Sequence, residues 1–250
     1  MLKMVHSVWT WCVISVVSIA GNLSQMVVAI ATWPFDRNKY ITGSMFRSMA
    51  RICVKCAPTW RFSIQGSYPK NIGPCVVVSN HVSNADCFLI CLLPWEMKWL
   101  GKSSLFKIPF MGWSMWFAGD IPVQRGNKLS ITHAMQKCSA YLKRGMPVCI
   151  FPEGTRSNSN QHLLPFKEGA FRLALENRVP LIPLAVCGTQ EALPKKSWHF
   201  GYSKAHVKVG APIETKNLPV NEDTVAYLKN LAQERIMQLL SEEPRAQAYA

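Results

Sequence analysis

The stretch Cys75-Val76-Val77-Val78-Ser79-Asn80-His81-Val82-Ser83-Asn84-Ala85-Asp86 decides how this chain folds. Its first four residues form a short apolar run, which reads as a buried strand. The polar residues after it read as the loop at the strand's end, where α/β proteins place their functional groups. His81 and Asp86 stand five positions apart. An extended chain would hold their side chains far apart, and five helical positions would turn them to different sides. They meet only if the loop curls back before a helix begins near Asn84 or Asp86. Asp86 then accepts the proton of one imidazole nitrogen, and the other nitrogen acts as a general base. A histidine on a polar loop is more often a plain surface residue, so this pair needs support from the rest of the chain.

Further strand-like runs follow at 97–100, 120–124, 147–151, 181–187 and 205–210. Helical patterns lie between them at 84–93, 109–117, 127–144, 167–177 and 222–241. Such alternation predicts an α/β domain over 59–243, with a mixed, mostly parallel sheet flanked by helices. Residues 244–250 read as a frayed tail.

The N-terminal part, 1–58, reads as a membrane anchor. No charged residue occurs from Val8 to Trp33, a length that suffices to cross a bilayer. Gly21-Asn22 and Ser24-Gln25 interrupt the segment, so it either spans or dips into one leaflet as a hairpin. If it spans, the basic residues beyond it place the catalytic domain on the cytoplasmic face. That face belongs to the inner membrane in a bacterium and to the endoplasmic reticulum in a eukaryote. Over 44–56, Met45, Phe46, Met49, Ile52 and Cys53 recur at helical spacing, and Arg47, Arg51 and Lys55 lie on another face. This pattern predicts a basic amphipathic helix in the membrane interface.

Lys and Arg total 28 against 14 Asp and Glu, a net charge of +14. Residues 37–70 contain no acid, and they adjoin the apolar segment. The charge therefore points to an anionic membrane or a phosphorylated substrate, and no nucleic-acid reading motif is present. The nine cysteines form no framework, and Cys53-x-x-Cys56 lacks a partner pair. They read as free thiols, with no metal site.

Three more stretches adjoin predicted strands: Gly119-Asp120-Ile121-Pro122-Val123-Gln124-Arg125, Phe151-Pro152-Glu153-Gly154-Thr155-Arg156-Ser157, and the apolar run 179–186. In order and spacing, these and the His81 loop resemble the four sequence blocks of the glycerolipid acyltransferase superfamily. The resemblance covers roughly residues 60–215. The Asn-His-x4-Asp block is matched at Asn80, His81 and Asp86, and the Phe-Pro-Glu-Gly-Thr-Arg-Ser block without change at 151–157. Lys102, Leu105, Pro109, Gly112 and Trp113 match a Lys-x-x-Leu-x-x-x-Pro-x-x-Gly-Trp stretch between them. Gln124 stands where family members often carry an acid, while Arg125 is retained.

The resemblance implies transfer of an acyl group from acyl-CoA or acyl carrier protein to the sn-2 hydroxyl of lysophosphatidic acid in phospholipid synthesis. It needs no cofactor beyond that co-substrate. His81 and Asp86 would be the catalytic pair, with the substrate hydroxyl as nucleophile. Asn80, Lys102, Arg125, Glu153, Gly154, Thr155 and Arg156 would bind substrate. Among these, Arg125 and Arg156 offer guanidinium forks to a phosphate and Lys102 a point charge. Glu153 would orient Arg156 or a substrate hydroxyl. An alternative acceptor is glycerol-3-phosphate or another lysophospholipid. A distant alternative is a non-catalytic protein that binds anionic membranes and does not need His81.

Overall fold

The computed structural model describes residues 2–157, 163–195 and 197–242. The tail 244–250 lies outside them. Two helices come first, α1 (Leu2–Thr32) and α2 (Tyr40–Cys56). The Asp36 carboxylate starts α2 by accepting the backbone N–H groups of Tyr40 at 2.6 Å and Ile41 at 2.9 Å, a negative charge at a helix N-terminus. The domain then runs β1 (Trp60–Gln65), β2 (Val76–Ser79), α3 (Ala85–Ile90), β3 (Lys98–Lys102) and a 3-10 turn (Ser103–Lys107). It continues through α4 (Met111–Ala118), β4 (Ile121–Val123), α5 (Lys128–Lys143), β5 (Val148–Ile150) and α6 (Gly169–Asn177). Last come β6 (Leu181–Cys187), β7 (Ser203–Val209) and α7 (Glu222–Ser241). Every predicted strand and helix is present, with shifted ends. Two elements were not expected from the sequence: the 3-10 turn, and β1, whose alternation of Trp60, Phe62 and Ile64 lies inside the basic stretch.

The strands form one sheet in the order β1-β7-β6-β2-β5-β3-β4. The five strands from β6 to β4 are mutually parallel, β7 is antiparallel to β6, and β1 runs parallel to β7. Both faces of the central strands are covered, as parallel sheets require. On β2, Val76 and Val78 pack with Cys138, Phe171, Leu228 and Ile236 from α5, α6 and α7. Val77 points the other way, into a cluster with Leu89, Ile90, Leu93 and Trp99. Parallel strands end on the same side, so the loops after β2, β5, β3 and β4 emerge together along one edge.

The N-terminal helices differ from expectation in two respects. First, α1 is one unbroken helix of 31 residues, about 45 Å long at 1.5 Å per residue. Its polar interruption is a docking surface: the Asn22 amide donates to Ser114 Oγ at 3.1 Å, and the Gln25 amide donates to the carbonyls of Thr42 at 2.8 Å and Ser114 at 3.2 Å. The residues of α1 that are buried are Ser7, Thr10, Asn22 and Gln25, while Val8, Val16, Leu23, Val27 and Ile30 are exposed. A helix of a water-soluble domain shows the opposite pattern. α1 is long and apolar enough to cross a membrane.

Second, the arginine face of α2 turns toward the domain, contrary to its predicted place among lipid headgroups. Arg47 is buried and pairs with Asp120 at 2.5 Å, and it donates to the Met97 carbonyl at 3.0 Å. Burial opposes its charge, but Asp120 and Glu96 outweigh burial and hold its pKa above the ordinary value. Arg51 donates to the carbonyls of Cys91 and Leu93 at 2.7 and 3.0 Å, just past the end of α3. Buried acids and loop carbonyls draw the two guanidinium groups inward. Only Lys55 of the predicted basic face is exposed.

Candidate active site

The loop after β2 curls back as the His81 and Asp86 chemistry requires. Asp86 lies in the first turn of α3, so its carboxylate points back over the residues before the helix. Asp86 Oδ2 accepts the backbone N–H groups of Val82 at 2.8 Å and Ser83 at 3.0 Å, and His81 Nδ1 lies 2.7 Å from it. Oδ1 accepts the Thr189 hydroxyl. A carboxylate surrounded by such donors serves as an acceptor on both oxygens. It orients Nδ1–H and leaves Nε2 for chemistry. The imidazole stacks on Phe151, with ring centroids 4.1 Å apart, and its side chain keeps 11% of its surface exposed.

The loop after β5 holds the histidine from behind. Glu153 Oε1 accepts the His81 backbone N–H at 2.7 Å, and Oε2 accepts the Leu164 N–H at 3.0 Å. The Ser157 N–H donates to the His81 carbonyl at 2.7 Å. Burial raises the Glu153 carboxyl above its ordinary pKa, against the pull of its two backbone donors. Glu153 is therefore a brace between two loops, a structural role beside the expected one of orienting Arg156 or a substrate hydroxyl. Asn80 has a structural role as well. It is fully buried, and its amide accepts the Val186 N–H at 2.8 Å and donates to the Val186 carbonyl at 2.9 Å. It ties the catalytic loop to β6 and presents no polar group to a substrate through those bonds.

The remaining predicted residues lie on the same edge of the sheet. Lys102 ends β3, in register with Val123 on β4, and Arg125 follows β4 directly. Arg156 and the exposed Thr155 follow β5. Partial desolvation, and then the positive charge of Arg156, pull Arg125 below its ordinary pKa. The two guanidinium groups therefore feel each other's charge. Among the described residues, neither they nor Lys102 is paired with a carboxylate. Uncompensated cations on the same sheet edge as His81 suit an anionic substrate. Gly154 has φ +68°, and a Cβ there would meet the Lys167 side chain at 2.9 Å. The positive φ, more than this contact with a flexible side chain, favours glycine at the turn. Thr189 had no role in the sequence pattern, and Phe151 entered it only as the first residue of its block. Thr189 follows the last residue of β6 by two positions, and that adjacency to a strand end was its only signal.

The C-terminal edge of the parallel strands thus carries the His81–Asp86 pair and a row of cations. A sequence model of the acyltransferase family matches residues 61–187, half of the chain. The chain belongs to this family, the glycerolipid acyltransferases. Among its relatives, it is 32% identical over 175 residues to a 1-acyl-sn-glycerol-3-phosphate acyltransferase of Haemophilus influenzae, covering 68% of this chain and 71% of that protein. It is 37% identical over 142 residues to a chloroplastic 1-acyl-sn-glycerol-3-phosphate acyltransferase of Brassica napus, covering 56% of this chain and 41% of that one. The chain spans about two fifths of the length of that protein and of its Arabidopsis thaliana counterpart. The fold matches the crystal structure of the 1-acyl-sn-glycerophosphate acyltransferase of Thermotoga maritima with a TM-score of 0.76. That match covers 99% of this chain and 98% of the other at 23% identity, a likeness of fold.

Proposed function

We propose that the protein transfers a fatty acyl group from acyl-CoA or acyl carrier protein to the sn-2 hydroxyl of 1-acyl-glycerol-3-phosphate, giving phosphatidic acid. The observation that carries this reading is the pairing of His81 and Asp86 beside the cations Lys102, Arg125 and Arg156. The names of the relatives support it. His81 Nε2 takes the proton of the hydroxyl as its oxygen attacks the thioester carbon. The Asp86 carboxylate stabilises the imidazolium that forms. As the C–O bond forms and the C–S bond breaks, the proton passes from His81 to the departing thiolate. The protein itself supplies no nucleophile, so no covalent intermediate arises. Arg125 and Arg156 hold the acceptor's phosphate, and Lys102 adds its charge.

The site works at a membrane surface. With its polar side on the domain, α1 lays its apolar side in one leaflet and keeps the edge bearing His81 close to the lipid tails it acts on. The catalytic domain faces the cytoplasmic side of that membrane. Purified protein in detergent, given acyl-CoA and acyl carrier protein donors with lysophosphatidic acid and glycerol-3-phosphate as separate acceptors, tests the reading. Phosphatidic acid forms from lysophosphatidic acid. Acylation of glycerol-3-phosphate alone, or of neither acceptor, refutes it.

A further inference from the structure

Among the partners of Asp86, the Thr189 hydroxyl comes from farthest along the chain, 103 positions away. Thr189 has no exposed surface, and neither has Asp86, so no solvent replaces this donor. The local backbone is built to aim it. Gly188, just past β6, has φ +81°, and a Cβ there would lie 2.4 Å from the Lys204 carbonyl oxygen. Only glycine permits that turn. The Gly188 carbonyl accepts the Ser203 hydroxyl at 2.7 Å, and the Thr189 carbonyl accepts the Ala192 N–H at 3.0 Å. The residue is thus held on both sides while its hydroxyl reaches the one Asp86 oxygen that does not face His81.

We propose that Thr189 is a positioning residue for acyl transfer: its hydroxyl fixes the plane and ionisation of Asp86 and so sets the base strength of His81. The proposal rests on the acyl-transfer reading of the site. Without this donor, Oδ1 is buried and loses its hydrogen bond, and the carboxylate is a poorer anion and a better competitor for the His81 proton. The pair then holds its proton to higher pH. Among the described residues, the titratable groups that feel Asp86 besides His81 are Glu153 from the segment after β5 and Cys87 on α3. Burial raises the pKa of both, which keeps Cys87 neutral.

Thr189→Val keeps the shape and removes the hydroxyl, and Thr189→Ser keeps the hydroxyl and removes the methyl. For Thr189→Val, kcat falls about tenfold or more, as expected for one lost hydrogen bond to a charged group. KM for both substrates stays within about a factor of two. The acid limb of the rate profile moves up by about one pH unit. Thr189→Ser restores most of the loss, and Thr189→Ala repeats the Val result if the Val variant does not fold. The downfield imidazole proton of His81, assigned by its absence in His81→Ala, gives a readout independent of turnover. It shifts in Thr189→Val and returns in Thr189→Ser. Inactive wild-type protein would strike at the acyl-transfer reading, and the proton signal would still report on Thr189. An unmoved pH profile and an unmoved proton signal in the hydroxyl-free variants would overturn the proposal. So would a Ser variant as impaired as Val.

Discussion

Asp86 commits both carboxylate oxygens within the protein, while Arg125, Arg156 and Lys102 commit none of their charge to an acid among the described residues. This contrast separates residues that build the site from residues that await a ligand. It predicts that Arg125→Ala and Arg156→Ala raise KM for lysophosphatidic acid about tenfold or more and leave KM for the thioester largely unchanged, since each removes a charge-assisted hydrogen bond. Kinetics with each substrate varied in turn check this, and an effect confined to the thioester would reassign the arginines to the donor's phosphates. His81 and Asp86 were legible in sequence because both stand in a polar loop directly behind an apolar run, where a strand hands over to a helix. Glu153 and Asn80 stood out as polar residues in polar motifs, and their backbone partners were not legible. Glu153 serves the loop of His81, 72 positions away, and Asn80 serves strand β6, 106 positions away. Such partners are brought together only by strand order. Thr189 is a single hydroxyl behind an apolar strand, and nothing local sets it apart.

At the scale of elements, the strands and helices followed from alternation, period and apolar length, while the way the two N-terminal helices dock did not. Apolar length alone cannot say which side of a helix meets protein. In α1 the few polar residues decide it, because Asn22 and Gln25 bond to α4 and α2. The arginines of α2 mislead for the same reason: a basic stripe satisfies buried carbonyls as well as it meets headgroups. The far end of α1 is seated as well. Ser7 Oγ accepts the Phe200 N–H at 3.0 Å, and the Trp11 indole donates to the Trp198 carbonyl at 2.8 Å. The segment that begins with Thr189 therefore rests on the anchor helix. On the proposed membrane reading, the lipid contact falls on Val16, Leu23 and Val27, all exposed. Changing the three to Gln should move the folded protein from the vesicle pellet to the supernatant, since each apolar side chain contributes roughly 1.5–3 kcal/mol when buried. Sedimentation at low and high salt measures it. Unchanged pelleting at both would assign attachment to another surface.

For the whole molecule, the strand order does what no single motif does. The blocks at 80–86, 102, 125 and 153–156 are scattered along the chain, and neighbouring parallel strands β2, β5, β3 and β4 bring their ends into one row. The sequence predicted a mostly parallel sheet but not this order, because pairing between strands far apart leaves no local pattern. In that row, His81 sits at one place and the cations Lys102, Arg125 and Arg156 extend from it along the edge. The central claim of the proposed mechanism is that His81 removes the proton of the acceptor hydroxyl. The most direct test compares acyl transfer to lysophosphatidic acid by wild-type protein and His81→Ala at equal concentration, with thermal unfolding measured on both. Matching unfolding is expected, with a rate about 10²–10⁴-fold lower in the variant. Near wild-type turnover by a folded His81→Ala protein would contradict the general-base role.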